Sequence, residues 1–485
     1  MKKSTAGIMP ENTGVLIESG PEDWQVVQRQ ADGTSEFILS GIWTLSGPMT
    51  DPVVKVRIVL EDTGDSVIPW ISAEMTGERS WNARLTVPEG GLYRIETCLS
   101  SAEQPAVEWG TRGDMVHHVG VGDVFVIAGQ SNAAGYGKDP IFDPPELGIH
   151  LLGNHGRWCL ATHPMNESTG TIHPVNRENA NPGHSPWLSF AKRLRKGTGV
   201  PVGLVQTSLG GSPLSAWNPE EEGSLYRNLL DVLDALRPGN DKGSASLQLI
   251  HGILWYQGCS DAMQGLHDTY LERFGRFVSH LREDLCHPEL PFLTVQIGRY
   301  VVPGDPGGDA CWAGIREAQR KAAQIFAGVA VVPALDLSLS DAIHISSAGN
   351  MILGERAAKA FLGAFCGTGE GFRPPEPISA VRTVDSVSGG SRVHVRFGFV
   401  PERLYGFEVP PELSPFLVEQ ADGTFMTPCA VTYAGKGDVE LDFACDIGPG
   451  SHLHGAYRQN AYPVLPIDIS TRLPMLSFCG FPIEE

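Results

Sequence analysis

The chain is short of positive charge: 36 lysines and arginines stand against 56 aspartates and glutamates in 485 residues, a formal net charge of −20. Nucleic-acid binding needs clustered cations to neutralise phosphates, and anionic membrane surfaces need the same, so neither partner is expected. Paired cysteines are also missing. The nine cysteines are scattered from Cys98 to Cys479 with no Cys-x-x-Cys spacing, which fits free thiols in a reducing compartment better than a disulfide framework. No run of about 18 consecutive apolar residues is present to cross a bilayer. The opening Met1-Lys2-Lys3-Ser4 leads into polar, proline and glycine residues, so no secretory leader is readable and the expected location is the cytoplasm. Histidines flanked by cysteine or carboxylate at metal-ligand spacing are lacking, His452-x-His454 being the nearest approach, and no metal or other cofactor is expected. Internal repeats and low-complexity tracts are absent as well.

What is present is a globular composition, 41% hydrophobic and 19% charged, with length enough for two or three domains. Its texture changes twice. From about Gly14 to Gly120, short β-type runs such as Val53–Leu60 and Ala83–Val87 are separated by turns at Thr63-Gly-Asp65 and Pro88-Glu-Gly-Gly91, which predicts a β-sandwich over residues 1–120. Over residues 121–370, buried-strand runs (Val124–Ala128, Val202–Gln206, Ile253–Tyr256) alternate with helical periodicity. Leu266, Tyr270, Phe274, Phe277, Leu281 and Leu285 recur at spacings of three and four, one face of an amphipathic helix. The alternation predicts an α/β fold, a parallel sheet flanked by helices. After Pro374-Pro375 the β texture returns, with Val393, Val395, Phe397 and Phe399 alternating. Residues 371–485 are therefore a C-terminal β-rich region, either a second module or strands that complete the first.

Within the middle section, Val124–Ala128 ends in Gly129-Gln-Ser131-Asn132, and about 200 residues later comes Asp341-Ala-Ile-His344. A serine hydroxyl is a poor nucleophile until an imidazole takes its proton, and the imidazole needs a carboxylate to fix its tautomer. Glycine lets a strand turn sharply, leaving Ser131 at the carboxyl end of a sheet, where open α/β sheets place their chemistry. Asp341 and His344, three apart, can come from one turn. The close pair differs from the widely separated acid and base of α/β-hydrolases.

Four blocks, Gly129-Gln-Ser-Asn132, Ser208-Leu-Gly-Gly-Ser-Pro-Leu-Ser-Ala-Trp217, Trp255-Tyr-Gln-Gly-Cys-Ser-Asp261 and Asp341-Ala-Ile-His344, resemble in kind and order those of the SGNH-hydrolase superfamily. Within it they resemble the sialate O-acetylesterase-like carbohydrate esterases. Trp312-Ala-Gly-Ile-Arg-Glu-Ala-Gln319 and the tail from Tyr457 to Phe478 add to the likeness. The resemblance implies an SGNH-type, flavodoxin-like sheet with β-sandwich regions at both ends. It also implies a serine esterase that removes O-acetyl groups from a small saccharide, of sialic acid or acetylated xylo-oligosaccharide type.

Ser131, His344 and Asp341 are then nucleophile, base and orienting acid. Ester cleavage builds charge on the carbonyl oxygen, so donors must await it: the N–H of Ser131, the N–H of Gly210 or Gly211, and the Gln257 side-chain amide are the candidates. Gln130, Asn132, Trp217, Trp255 and Cys259 are the expected substrate contacts, with sugar stacking and core packing both open for the two tryptophans. Cys259 stands where the family carries glutamate, and a thiol does not replace a carboxylate that orients Gln257 or binds a hydroxyl; an inert, packed cysteine is expected there. The irregular segment from Asn154, His155 and Arg157 to His184 is a candidate binding loop. An anionic sugar would need a local cation against the global field, and the sequence does not identify it. Other readings are a lipase or thioesterase with the same triad, a carbohydrate-binding protein with a degenerate site, and a β-rich assembly scaffold. Oligomeric state is left open.

Overall fold

In the computed structural model, which describes residues 13–102, 110–180, 182–237, 248–303, 306–368, 371–384 and 389–485, the early β-type runs form nine strands. Residues 1–4 lie outside the described residues. The strands are β1 (Gly14–Ser19), β2 (Val26–Gln28), β3 (Thr34–Thr44), β4 (Pro52–Leu60), β5 (Ser66–Ser72), β6 (Glu74–Met75), β7 (Ser80–Pro88), β8 (Gly90–Ser101) and β9 (Thr111–Gly129). β1, β3, β7 and β6 make one antiparallel sheet; β5, β4, β8 and β9 run side by side in another, with β2 parallel to β9. Strict alternation along β7 buries Trp81, Ala83, Leu85 and Val87, which share one core with Val54, Val56, Ile58 and Ile95 of the second sheet.

β9 belongs to two sheets. Up to Val121 it pairs with β8, and from Asp123 it lies between β12 (Val202–Gln206) and β13 (Gly252–Tyr256), parallel to both. With β10 (Ile149–Leu152), β11 (Trp158–Leu160), β14 (Phe292–Gln296) and β15 (Val329–Pro333) these give the order β11-β10-β12-β9-β13-β14-β15, every pair parallel except the β11 edge. All residues of β12, β13 and β14 are buried, which is why these strands read as unbroken apolar runs. The boundary expected between residues 120 and 121 falls inside this one continuous strand.

Among the described residues six α-helices lie between the central strands, α1 (Ser131–Ala134), α2 (Trp187–Thr198), α3 (Ser224–Asp234), α4 (Cys259–Met263), α5 (His267–Asp284) and α6 (Pro306–Ile325), and a seventh, α7 (Ser347–Phe365), follows β15. α2 packs on α7 and α5 on α6. α5 is the helix read from the leucine and aromatic spacing, with Tyr270, Phe274, Phe277 and Leu281 buried and Leu266 and Leu285 just outside its ends. No helix among the described residues is long and apolar enough to cross a membrane, and all nine cysteines are free.

Among the described residues the C-terminal strands share neither sheet nor hydrophobic core with the N-terminal ones. Val393, Val395 and Phe397 alternate inward as expected, but the strand ends at Gly398. Phe399 then takes a positive φ of 55° and turns 38% exposed, which breaks the predicted alternation.

The turn that ends β9 is tightly made. Gly129 sits at φ 123°, where a Cβ would come within 2.4 Å of the Tyr256 carbonyl oxygen, and both the conformation and the contact exclude a side chain. Gly129→Ala is expected to cost about 2–3 kcal/mol, read as a lower urea midpoint; an unchanged midpoint would show that the turn tolerates a side chain.

Candidate active site

The nucleophile turn, the block after β12, the block after β13 and the Asp341–His344 loop all lie at the carboxyl ends of the central strands. Ser131 opens α1, and its Oγ lies 2.9 Å from Nε2 of His344. His344 Nδ1 is 2.7 Å from Asp341 Oδ2, while Asp341 Oδ1 accepts the Ile343 and His344 N–H groups. One carboxylate thus folds its own loop and orients the imidazole, as an Asp three residues before a His can. Burial opposes ionisation of Asp341, but His344 and the two N–H groups outweigh it and hold the carboxyl below its ordinary range.

Gln130 and Asn132, expected to touch substrate, make hydrogen bonds that hold the site together. Gln130 Oε1 accepts the N–H groups of Gly258 and Ser260 at 3.1 and 3.2 Å. Asn132 spans the other gap, its Oδ1 accepting from Ile345 N and its Nδ2 donating to the Ile343 carbonyl. The serine is thereby tied on one side to the block after β13 and on the other to the acid–base loop. Both amides are nearly buried, since a brace that exchanged its partners for water would not fix the geometry.

The expected oxyanion donors are also revised. Gly210 N–H is committed to Glu178 Oε2 at 2.9 Å, whereas Gly211, in the left-handed region at φ 71° with open space on its Cα, donates to no described residue. Gln257 is fully buried and spends both amide protons internally, on Asp261 Oδ2 at 2.6 Å and the Ser212 carbonyl at 3.3 Å, while its Oε1 takes the Tyr270 hydroxyl. It braces the wall of the site and does not face it.

Trp217 and Trp255 are both 0% exposed and meet edge to face at 5.4 Å, so they pack the core and form no sugar platform. Cys259 is buried too, and burial pushes its thiol up to about 12, which makes it inert. Of the candidate loop, Asn154 is an internal brace bonded to Asn166 and Asn176, while His155 and Arg157 are exposed.

Three residues that sequence reasoning missed complete the site. Asp261 supplies the carboxylate sought at Cys259, two positions on in the first turn of α4: it receives Gln257, the Leu214 N–H and the Arg273 guanidinium. Its place in the third block was the available signal. Tyr136 stacks on the His344 ring at 4.9 Å, and Glu178 links that tyrosine's hydroxyl to Gly210. No spacing or motif marks either one.

Among the described residues one cluster has metal-ligand atoms close together, Asp143, His163 and His184. His163 Nδ1 accepts the Ser185 N–H, so its proton sits on Nε2 and is directed at Asp143, whose other oxygen takes Lys192. This is an ion-paired anchor for the loop on the Asp139 side of the site. Burial opposes the Asp143 charge, yet His163, His184 and Lys192 hold its carboxyl well below the usual range; burial also depresses the His163 imidazole from its ordinary 6.5.

Both groups therefore bind fewer protons folded than unfolded. Their stabilisation is full above about pH 6.5 and lost as pH falls. His163→Gln should flatten the decline in thermal midpoint between about pH 7 and 5; identical slopes in the two proteins would refute the assignment. Asp261→Asn should cost about 3 kcal/mol, since it removes one of the two carboxylates that neutralise the nearly buried Arg273. Chemical denaturation would measure this, and a loss within error would refute it.

The family described as carbohydrate esterase, sialic acid-specific acetylesterase matches residues 121–363, half of the chain. A probable carbohydrate esterase of Arabidopsis thaliana is 30% identical over 268 residues, covering 50% of this chain and 91% of that protein. The crystal structure of a carbohydrate acetylesterase from Xanthomonas citri superposes with a TM-score of 0.62 at 20% identity, over 96% of this chain and 99% of that one, and is similar in fold. With Ser131, His344 and Asp341 inside the matched span, the chain belongs to the sialic acid-specific acetylesterase family of carbohydrate esterases, which are carboxylic ester hydrolases.

Proposed function

We propose that the protein is a serine esterase that removes O-acetyl groups from a small saccharide through an acetyl-enzyme. The observation that carries the reading is the unbroken relay from Ser131 Oγ through His344 to Asp341. His344 Nε2 takes the hydroxyl proton as Oγ attacks the acetyl carbonyl carbon, and Asp341 stabilises the imidazolium through Nδ1–H. The N–H groups of Ser131 and Gly211 receive the oxyanion. On collapse the sugar oxygen leaves with the proton from His344. Water, deprotonated by the same nitrogen, then attacks the acetyl carbonyl and releases acetate.

Asp261 supports an active site over a degenerate one. The carboxylate that Cys259 seemed to remove is present two residues later and is bonded to Gln257. In this reading β9 hands the nucleophile from an N-terminal β-sandwich, residues 1–120, to an SGNH-type, flavodoxin-like sheet in residues 121–370, and residues 371–485 form a separate β-rich unit. Nine free thiols favour a reducing compartment, hence the cytoplasm and a small sugar instead of a polymer.

Acetate release from acetylated sugars and from 4-nitrophenyl acetate tests the proposal. Ser131→Ala should abolish both, and Asp341→Asn should lower the rate by roughly 10³–10⁴-fold. Longer nitrophenyl acyl esters should be poorer substrates than the acetate, whereas a lipase would prefer them. Equal release by Ser131→Ala and the native protein would sink the serine mechanism.

A further inference from the structure

Both ring nitrogens of His344 are engaged at the edge of the imidazole, Nε2 with Ser131 and Nδ1 with Asp341. The face of the ring has a partner of its own. Tyr136, two residues past the end of α1, stacks on it with centroids 4.9 Å apart and 29° between the planes. The tyrosine is 7% exposed, so little water screens one ring from the other.

The far end of the tyrosine is anchored. Its hydroxyl donates to the Glu178 carboxylate, which also accepts the Gly210 N–H at 2.9 Å and the Asn166 amide at 3.1 Å. Burial and the carboxylate both push the phenol up from its ordinary value, so it stays protonated and keeps donating. A hydroxyl that donates to an anion is polarised, and the density it gains is shared with the ring. That strengthens the negative face on which a cation rests. Lys138, exposed, already holds its Nζ 5.0 Å from the same ring centroid, within the range of a cation–π contact. The charges that bear on the stacked pair are thus Asp341 on the loop of His344, and Glu178 and Lys138 beyond the tyrosine.

In the proposed mechanism a proton moves to His344 Nε2 twice, first from Ser131 Oγ and then from the attacking water, and leaves it once with the sugar oxygen and once with the serine. Before each transfer the tyrosine faces a neutral imidazole; during it, the same ring faces an imidazolium. A contact that strengthens only as that charge develops lowers the barrier without tightening substrate binding. We propose that Tyr136, polarised by Glu178, is a positioning residue that stabilises the imidazolium form of His344 in both steps. Glu178 then serves the base through Tyr136 and steadies the oxyanion block through Gly210. The inference rests on the esterase reading, which supplies the charge on His344.

The test is steady-state turnover of 4-nitrophenyl acetate and of glucose pentaacetate by Tyr136→Phe, by its mono-, di- and trifluorinated forms, and by Tyr136→Leu. Titration with a serine-reactive phosphonate counts the competent sites in each, so that kcat is free of any loss of folded protein. Tyr136→Phe should lower kcat by about two- to fivefold, and each added fluorine should lower it further. The trifluorinated form and Tyr136→Leu should reach about ten- to thirtyfold. KM should stay within about twofold throughout, because acetylation and deacetylation slow together. Fluorine withdraws density from the ring face and nearly keeps its shape, so a tyrosine that only packs would hold kcat at the Tyr136→Phe value along the whole series. Glu178→Gln should also lower kcat, and adding Tyr136→Phe to it should cost little more, since the hydroxyl acts through that carboxylate. A flat fluorinated series, losses that fall in KM, or losses that multiply in the double variant would each overturn the proposal. Failure of the esterase reading shows separately, as turnover that persists in Ser131→Ala.

Discussion

The passage of the Gly129 backbone against the Tyr256 carbonyl is the constraint on which the rest of the site depends. Two neighbouring parallel strands end side by side there, and only a residue without Cβ lets one cross close enough for the chain to turn at once into α1. The three residues that follow then do three separate jobs. Gln130 takes hold of the block after β13, Ser131 presents its hydroxyl, and Asn132 takes hold of the acid–base loop. A shift of a single residue would exchange a brace for the nucleophile, so the order Gly-Gln-Ser-Asn is fixed by geometry as much as by chemistry.

Rigidity is supplied from behind. β9 is 19 residues long because it serves two sheets, and its second half, completely buried from Val119 onward, cannot slide without moving both cores. Catalytic geometry has to hold to fractions of an ångström. Here Ser131, the proposed nucleophile, stands at the end of a strand flanked by parallel neighbours on both sides, while His344, the proposed base, comes from a loop fixed at both Ile343 and Ile345. The His344 ring carries further support from the Tyr136 ring stacked on it.

The relay was legible because its chemistry is local: Asp341 and His344 share one turn, and a Gly before Ser131 announces a strand-end turn. α5 and the buried strands were legible from hydrophobic period alone. The braces were not, because Gln130 and Asn132 look like substrate-facing polar residues until partners 128 and 213 residues away are known. Gln257, Trp217 and Trp255 misled for the matching reason. An amide or indole in a motif can face the substrate or the core, and only the arrangement of Ser212, Asp261 and Tyr270 around them settles which. Tyr136 and Glu178 carry no signal, since stacking on a distant ring and capping a distant N–H leave no spacing in the chain.

The two glycines of the second block show how one residue type answers two different demands. At Gly210 a Cβ would fall 2.8 Å from the Glu178 carboxylate and 3.0 Å from the Tyr136 hydroxyl, so that glycine makes room for a contact. Gly211 meets nothing within 4 Å, and its requirement is the left-handed φ of 71°, which frees its N–H from the backbone pattern around it. A carboxylate beside the first N–H and, among the described residues, an unpaired donor at the second divide the block into a structural half and the half to which the proposed mechanism gives the oxyanion. The negative charge of Glu178 is drawn off by Gly210, Asn166 and Tyr136. In the proposed mechanism an acetyl oxyanion at Gly211 would form beside a carboxylate whose oxygens are already engaged by their own donors, which leaves the Gly211 N–H free for the new charge.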